Sequence, residues 1–261
     1  MPATGQDELS LGFPAFAGLA LPLGFEGGPP MGERFFLEAP PAAGKAVLTG
    51  DEARHLARVL RAAVGDEVTL FDGRGRSWAG RVKAIGRDAV ELETGEPRVE
   101  PAAGRVLTVA VALPKGERQK WLVEKLTELG VARLVPLVTE RGVAEATAAA
   151  VARLERGVIE ASKQCGRDTL MEIGAPASVA AVVSGRPADA IGLVADPHGQ
   201  PLDAAGWPAT TEVIALVGPE GGFSPAELAL AEAAGWPRIT LGHYVLRIET
   251  AAVALAARLA N

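Results

Sequence analysis

From about Arg34 to Leu92 the apolar residues come in short runs: RFFL, AVL, EVTLF, WAGRVKAI and AVELE, set apart by Gly and Asp turns such as FDGRGRS. Runs of this kind predict short strands. One helical stretch interrupts them, DEARHLARVLR, opened by Thr49 or Asp51. The segment reads as a small β-barrel of roughly seventy residues, a size that can fold alone. TGEPRVEPAAG follows, rich in Pro and Gly, and is the natural linker.

From Arg105 the period changes and strands alternate with helices. RVLTVAVAL predicts a strand, and KGERQKWLVEKLTELG a helix with Leu122, Leu126 and Leu129 on one face and Gly130 as its stop. RLVPLVT is a strand, and a long alanine-rich helix runs from about Glu145 to Lys163. AIGLVA, EVIALV and RITL are further strands, and ETAAVALAARLA is the last helix. Alternating β and α elements predict a parallel sheet covered on both faces. Ligands bind such sheets beyond the carboxyl ends of the strands.

One such end carries LVGPEGGFSPAEL, Leu216 to Leu228. The flanks predict a strand, a glycine loop and a helix, with Ser224 as N-cap, Pro225 in the first turn and Glu227 closing a capping box. Glycines let a ligand approach the backbone; a tight turn with no ligand is the alternative. No Lys follows the glycines, which excludes a P-loop, and Gly218-Pro-Glu-Gly-Gly does not match the dinucleotide fingerprint. Glu220 would repel a phosphate, so a neutral or cationic ligand suits the loop better. LGHYVLRIETA, at Leu241 to Ala251, lies at the end of another strand.

The chain has 261 residues, of which 48% are hydrophobic and 22% charged, the balance of an ordinary soluble protein. A single cysteine, Cys165, excludes an internal disulfide framework, and His55, His198 and His243 lack ligand spacing, so no metal site is expected. Net charge is −6 and unevenly spread. Arg54 to Arg87 holds eight Lys and Arg against three Asp and Glu, whereas Asp168 to the end holds four against ten. A basic N-terminal module on an acidic C-terminal one fits a polyanion docking on the first; a solvated charged face is the alternative. The first thirty residues are apolar in part, but Pro14 and Pro22 break them and Asp7 and Glu8 precede the apolar run. They read as a poorly ordered extension with no targeting signal, which implies the cytoplasm.

The stretches HLARVLR, LFDG, KGERQKWLVEKLTELGV, PLVTER, KQCGR, GPEGGFS-x-x-E and LG-x-x-VLR-x-ETA occur in this order over nearly all of residues 31–261. Together they resemble the RsmE-type ribosomal RNA uridine N3-methyltransferases of the SPOUT superfamily. The fold implied is α/β: a PUA-like RNA-binding β-barrel domain over 31–100, then a SPOUT α/β domain over 104–261 with a C-terminal trefoil knot, after an extension over 1–30. Three departures stand out: His243-Tyr244 where Pro-Arg is usual, Lys163 where an acid is common, and Gly142 where Ser or Cys often follows the Arg.

The resemblance implies S-adenosylmethionine as cofactor, bound by Gly218, Glu220, Gly222, Leu241, Gly242, Leu246 and Arg247. It implies methylation of N3 of a specific uridine in 16S ribosomal RNA, free or within the small ribosomal subunit, by a homodimer that uses neither DNA nor a membrane. Uridine N3 is a poor nucleophile until its proton is removed, and charge then develops on the uracil. Arg247 is the residue expected to stabilise that charge, with a salt bridge to Glu249 or the C-terminus as the alternative. Glu249 is assigned to the catalytic pair, or to the N-terminus of the last helix. Arg54, Arg58 and Arg61 fall at helical spacing and are expected to face RNA. Gln164 and Arg167 contact RNA or end the long helix. Two other functions compete: ribose 2′-O-methylation by the same kind of domain, and RNA binding by an assembly factor without catalysis.

Overall fold

The computed structural model describes residues 33–101, 104–143, 146–204, 207–208 and 210–260. The N-terminal extension and Glu145 lie outside the described residues. The first sheet is built from β1 (Arg34–Phe36), β2 (Lys45–Thr49), β3 (Glu67–Phe71), β4 (Arg76–Ile85), β5 (Ala89–Thr94) and β6 (Arg98–Val99). Its order is β1-β3-β4-β5-β2, with β6 on β4; β1 runs parallel to β3 and the other pairs are antiparallel. Among the described residues no ladder joins β1 to β2, so the expected barrel is open there. A bulge in β4 between Val82 and Ala84 curls the sheet. Phe35, Leu48, Leu70 and Leu92 fill its core, and Leu56 closes it from above.

The expected single helix DEARHLARVLR is instead α1 (Gly50–Arg54) followed by one π-helical turn, His55–Val59. The π turn, closed by Leu60 N donating to His55 O five residues back at 3.0 Å, is wider than an α turn and moves later side chains off the helical face. Arg61 then takes φ +54, outside any helix. Helical spacing therefore does not align Arg61 with Arg54 and Arg58.

The second sheet is parallel throughout, in the order β10-β8-β7-β12-β11-β13, with β9 on β8. Its strands are β7 (Leu107–Val111), β8 (Arg133–Val138), β9 (Glu172–Ile173), β10 (Ala177–Ser178), β11 (Ile191–Pro201), β12 (Val213–Val217) and β13 (Arg238–Thr240). Both central strands are buried at every position, which is why VIALV reads as an unbroken apolar run and LTVAV as one interrupted only by Thr108. The helices are α2 (Arg118–Glu128), α3 (Ala148–Cys165), α4 (Val179–Ser184), α5 (Pro225–Ala233) and α6 (Ile248–Leu259). Leu122, Leu126, Leu255 and Leu259 pack with Leu107 and Val109 on one side; Val179, Ala231 and Trp236 pack with Ala110 and Ile214 on the other. Thr147 caps α3 by accepting from Ala150 N, and Gly166 at φ 83 ends it.

The segment after α3 docks on the first sheet. The Asp168 carboxylate accepts from Arg34 Nη2 and, at 2.7 Å, from Ser77 Oγ. Gly75 N donates to Asp168 O at 3.1 Å and Leu170 N to Gly73 O at 2.9 Å. Farther along, Lys163 pairs with Glu52 at 2.9 Å and with Glu160 at 3.2 Å. Burial pulls the Lys163 ammonium down, but these two carboxylates outweigh it and hold it above its ordinary value. Burial pushes the Glu52 carboxyl up, against the pull of Lys163. The Lys163 that departs from the resembled family's usual acid thus serves as a bridge to α1.

Candidate functional site

Three strand ends of the parallel sheet converge on a cavity of about 390 Å³. The first wall is the glycine loop between β12 and α5. Gly222 N donates to Pro219 O at 2.8 Å and Gly222 stands at φ +69, a left-handed turn that favours glycine. Gly218 is small for a different reason: a Cβ there would lie 3.0 Å from the Phe223 ring. The capping box is formed as expected: Ser224 N donates to Glu227 Oε2 at 2.7 Å and Glu227 N to Ser224 Oγ at 3.3 Å. Its other carboxylate oxygen accepts from Glu140 N at 3.0 Å. Arg141, the next residue, donates to Gly221 O at 2.9 Å. Glu140 and Arg141, the last two residues of PLVTER, therefore brace the loop from beyond the end of β8.

The second wall is the loop between β13 and α6, where Thr240 Oγ1 donates to Gly242 O at 2.9 Å. The third is the bulge of β11, between Ala195 and Gln200, which brings Asp196 and His198 to the cavity. Of the residues expected to bind cofactor, Gly218, Glu220, Gly222, Leu241, Gly242 and Leu246 line this cavity, and Arg247 does not. Arg247 is the exposed N-cap of α6, one residue from the lining side chains of Leu246 and Ile248. Tyr244, at the position where the family usually has Arg, lines the cavity and is 80% exposed.

Glu249 lies outside the lining. It is buried in the first turn of α6, 3.9 Å from Arg118, and its Oε2 has no hydrogen-bond partner. The same Arg118 Nη1 lies 3.0 Å from Glu220 Oε1. Sequence reasoning missed Arg118, Arg141, Asp196 and His198. The polar residues that follow the apolar run of β11 were the available signal for the last two.

The residues expected at RNA divide. Arg54 and Arg58 are exposed on the first sheet's helical cover, Arg61 is exposed beyond its end, and Arg54 pairs with Asp51. Gln164 is exposed beside a groove between α2 and α3. Arg167 is engaged elsewhere: its Nη1 donates to Val131 O at 2.9 Å and Thr127 O at 3.2 Å. Burial lowers its guanidinium from the ordinary value, with Glu100 opposing. These carbonyls belong to the last turn of α2 and to the loop just past it, so Arg167 ties the end of α3 to α2 rather than standing as a free cation.

The cavity sits where open parallel sheets bind ligands, at the C-terminal strand ends. It offers backbone groups, apolar side chains and two acids, Glu220 and Asp196, while its one arginine, Arg141, donates to the Gly221 carbonyl, a lining suited to an uncharged or cationic organic ligand. The family described as RNA methyltransferase domain matches residues 102–260, and the RNA methyltransferase PUA domain matches 48–94. Ribosomal RNA small subunit methyltransferase E of Mycobacterium bovis is 34% identical over 235 residues, 85% of this chain and 89% of that protein. The Synechocystis protein of the same name is 33% identical over 80% of this chain and 71% of its own length. The Neisseria gonorrhoeae ribosomal RNA small subunit methyltransferase E, solved bound to S-adenosyl methionine, superposes with a TM-score of 0.80 at 29% identity, over 87% of this chain and 95% of that one. A Legionella pneumophila methyltransferase in complex with the bound cofactor SAM gives a TM-score of 0.80 at 27% identity, over 87% and 96%. The chain belongs to the ribosomal RNA small subunit methyltransferase E family of RNA methyltransferases.

Proposed function

We propose that this chain transfers a methyl group from S-adenosylmethionine to N3 of a uridine in the 16S RNA of the small ribosomal subunit. The carrying observation is the cavity closed by the glycine loop and the Leu241–Leu246 loop, with two acids, Glu220 and Asp196, and no lysine in its lining. Those residues fit the cofactor: backbone of Gly218, Leu241 and Leu246 for adenosine, and Glu220 as an acid tolerant of positive charge. When bound, the cofactor supplies an activated methyl on a sulfonium. The protein's part is to hold the uracil in line and close. Arg247, exposed at the rim, stabilises charge on the uracil oxygens as N3 loses its proton.

The reading also includes a PUA-like module over 31–100 that docks RNA through Arg54, Arg58 and neighbouring cations, and a catalytic module over 104–261. It includes a trefoil knot formed by the cavity loops, a homodimer and a cytoplasmic setting. Mass spectrometry of small-subunit RNA from a deletion strain tests the reaction. One 3-methyluridine should disappear and return on complementation. Loss of a ribose-methylated nucleotide instead would replace this reading with the 2′-O-methyltransferase. Failure of the pure protein to bind S-adenosylmethionine would favour the assembly factor.

Gly222→Val should weaken S-adenosylmethionine binding at least about tenfold. The left-handed φ of +69 is strained for Val whatever the space, so the loop that lines the cavity must shift to accept it. Calorimetry on the folded variant checks this, and unchanged affinity would remove the loop from the site.

A further inference from the structure

Arg118 opens α2, far from the glycine loop in sequence, yet its Nη1 is shared between Glu220 Oε1 at 3.0 Å and Glu249 Oε1 at 3.9 Å. The three side chains differ in burial. Glu249 is 8% exposed, Arg118 37% and Glu220 51%. One guanidinium thus serves two carboxylates, and the trio carries an excess of one negative charge. Glu249 Oε2 is buried with no hydrogen-bond partner, an arrangement that costs stability and that a purely structural ion pair would avoid. Glu220 is the member that lines the cavity.

We propose that Arg118 is a positioning residue which, braced by buried Glu249, holds the Glu220 carboxylate at the cavity, and that the trio's excess negative charge makes the cavity prefer the cationic methyl donor to its neutral product. This rests on the reading of the cavity as the S-adenosylmethionine site. During transfer the S–CH3 bond breaks and the N3–CH3 bond forms. The sulfur keeps the electron pair and loses its positive charge, and the N3 proton passes to water. The cofactor therefore leaves the reaction without the charge that the trio attracts, which favours exchange of product for fresh donor. Uniform contacts to adenosine and to the amino acid end cannot supply this difference, because both ligands share them.

Calorimetric titration of the full chain with S-adenosylmethionine and with S-adenosylhomocysteine tests the inference without turnover. Wild type should bind the donor about three- to tenfold tighter than the product, the span of a partly screened charge contact. Glu220→Gln should bring the ratio near one by weakening donor binding alone. Arg118→Gln makes the trio more negative, so a bare charge effect would raise the ratio. Positioning predicts that the ratio falls, because Glu220 is released, and that Arg118→Lys recovers part of it. An unchanged ratio in Glu220→Gln, which replaces a half-exposed side chain and leaves the buried pair alone, would overturn the inference. So would a raised ratio in Arg118→Gln. If wild type binds both ligands equally, this inference alone fails; if it binds neither, the cofactor reading of the cavity fails with it.

Discussion

Protein carrying Arg247→Ala should lose methyl transfer by about a hundredfold or more and keep its melting temperature. Two roles were open for this residue, charge stabilisation at the uracil and a salt bridge to Glu249 or the C-terminus. The geometry separates them. Glu249 is turned to Arg118 at 3.9 Å, and Arg247 is exposed with no ion pair among the described residues. Arg247 is also the N-cap of α6, with φ −65 and ψ 159. A guanidinium there faces the positive end of the helix dipole, which disfavours it by a few tenths of a kcal/mol. Its side chain makes no cap hydrogen bond in return. Truncation should then move stability by no more than about 0.5 kcal/mol, in either direction. Arg247→Lys keeps charge but not the planar two-point contact, so it should restore activity only in part. Single-turnover methylation and a melting curve on both variants make the check. Normal transfer by folded Arg247→Ala would end the catalytic assignment.

The parts of the fold that read directly from the chain are those where one local rule decides. VIALV is an unbroken apolar run, and LTVAV is broken only by Thr108, because both faces of β12 and β7 are covered. Ser224, Pro225 and Glu227 announce α5 because the capping box is a contact between residues three apart. The glycine loop is legible for the same reason, since Gly222 is a matter of its own φ. What did not read is set by partners far away. The π turn at His55–Val59 leaves no mark in HLARV, and it moved Arg61 off the expected face. Arg167 was open between an RNA contact and the end of the long helix because nothing local shows that the Thr127 and Val131 carbonyls will reach it. Arg118 and Glu220 stand 102 positions apart, and only the stacking of α2 against the cavity loops joins them. Resemblance placed Glu220 in the site; it could not say what holds Glu220 there.

Asp168→Ala should destabilise the protein by about 3 kcal/mol or more, the largest stability effect expected for a single polar side chain here. Asp168 and Arg34 are 11% and 15% exposed, so solvent screens their pair little. Removing the carboxylate leaves the Arg34 guanidinium nearly buried, held by the Arg167 carbonyl at 3.3 Å and by the Phe71 ring at 4.9 Å, neither of which carries a countercharge. It also strands the Ser77 hydroxyl, now 2.7 Å from Asp168 Oδ2. Asp168→Asn keeps the shape and one acceptor, so its cost should be smaller, about 1–2 kcal/mol. The backbone links from Gly75 and Leu170 remain in both variants, so the effect belongs to the side chain alone. Urea unfolding with a shared m-value measures it. The junction also fixes where the cations of the first sheet stand relative to the cavity. In the fraction still folded, S-adenosylmethionine affinity should be unchanged, because none of these groups lines the cavity, while methylation of RNA should fall. A wild-type midpoint for Asp168→Ala would mean that apolar packing, such as Leu170 against Gly73 and Phe36, holds the two sheets together without the ion pair.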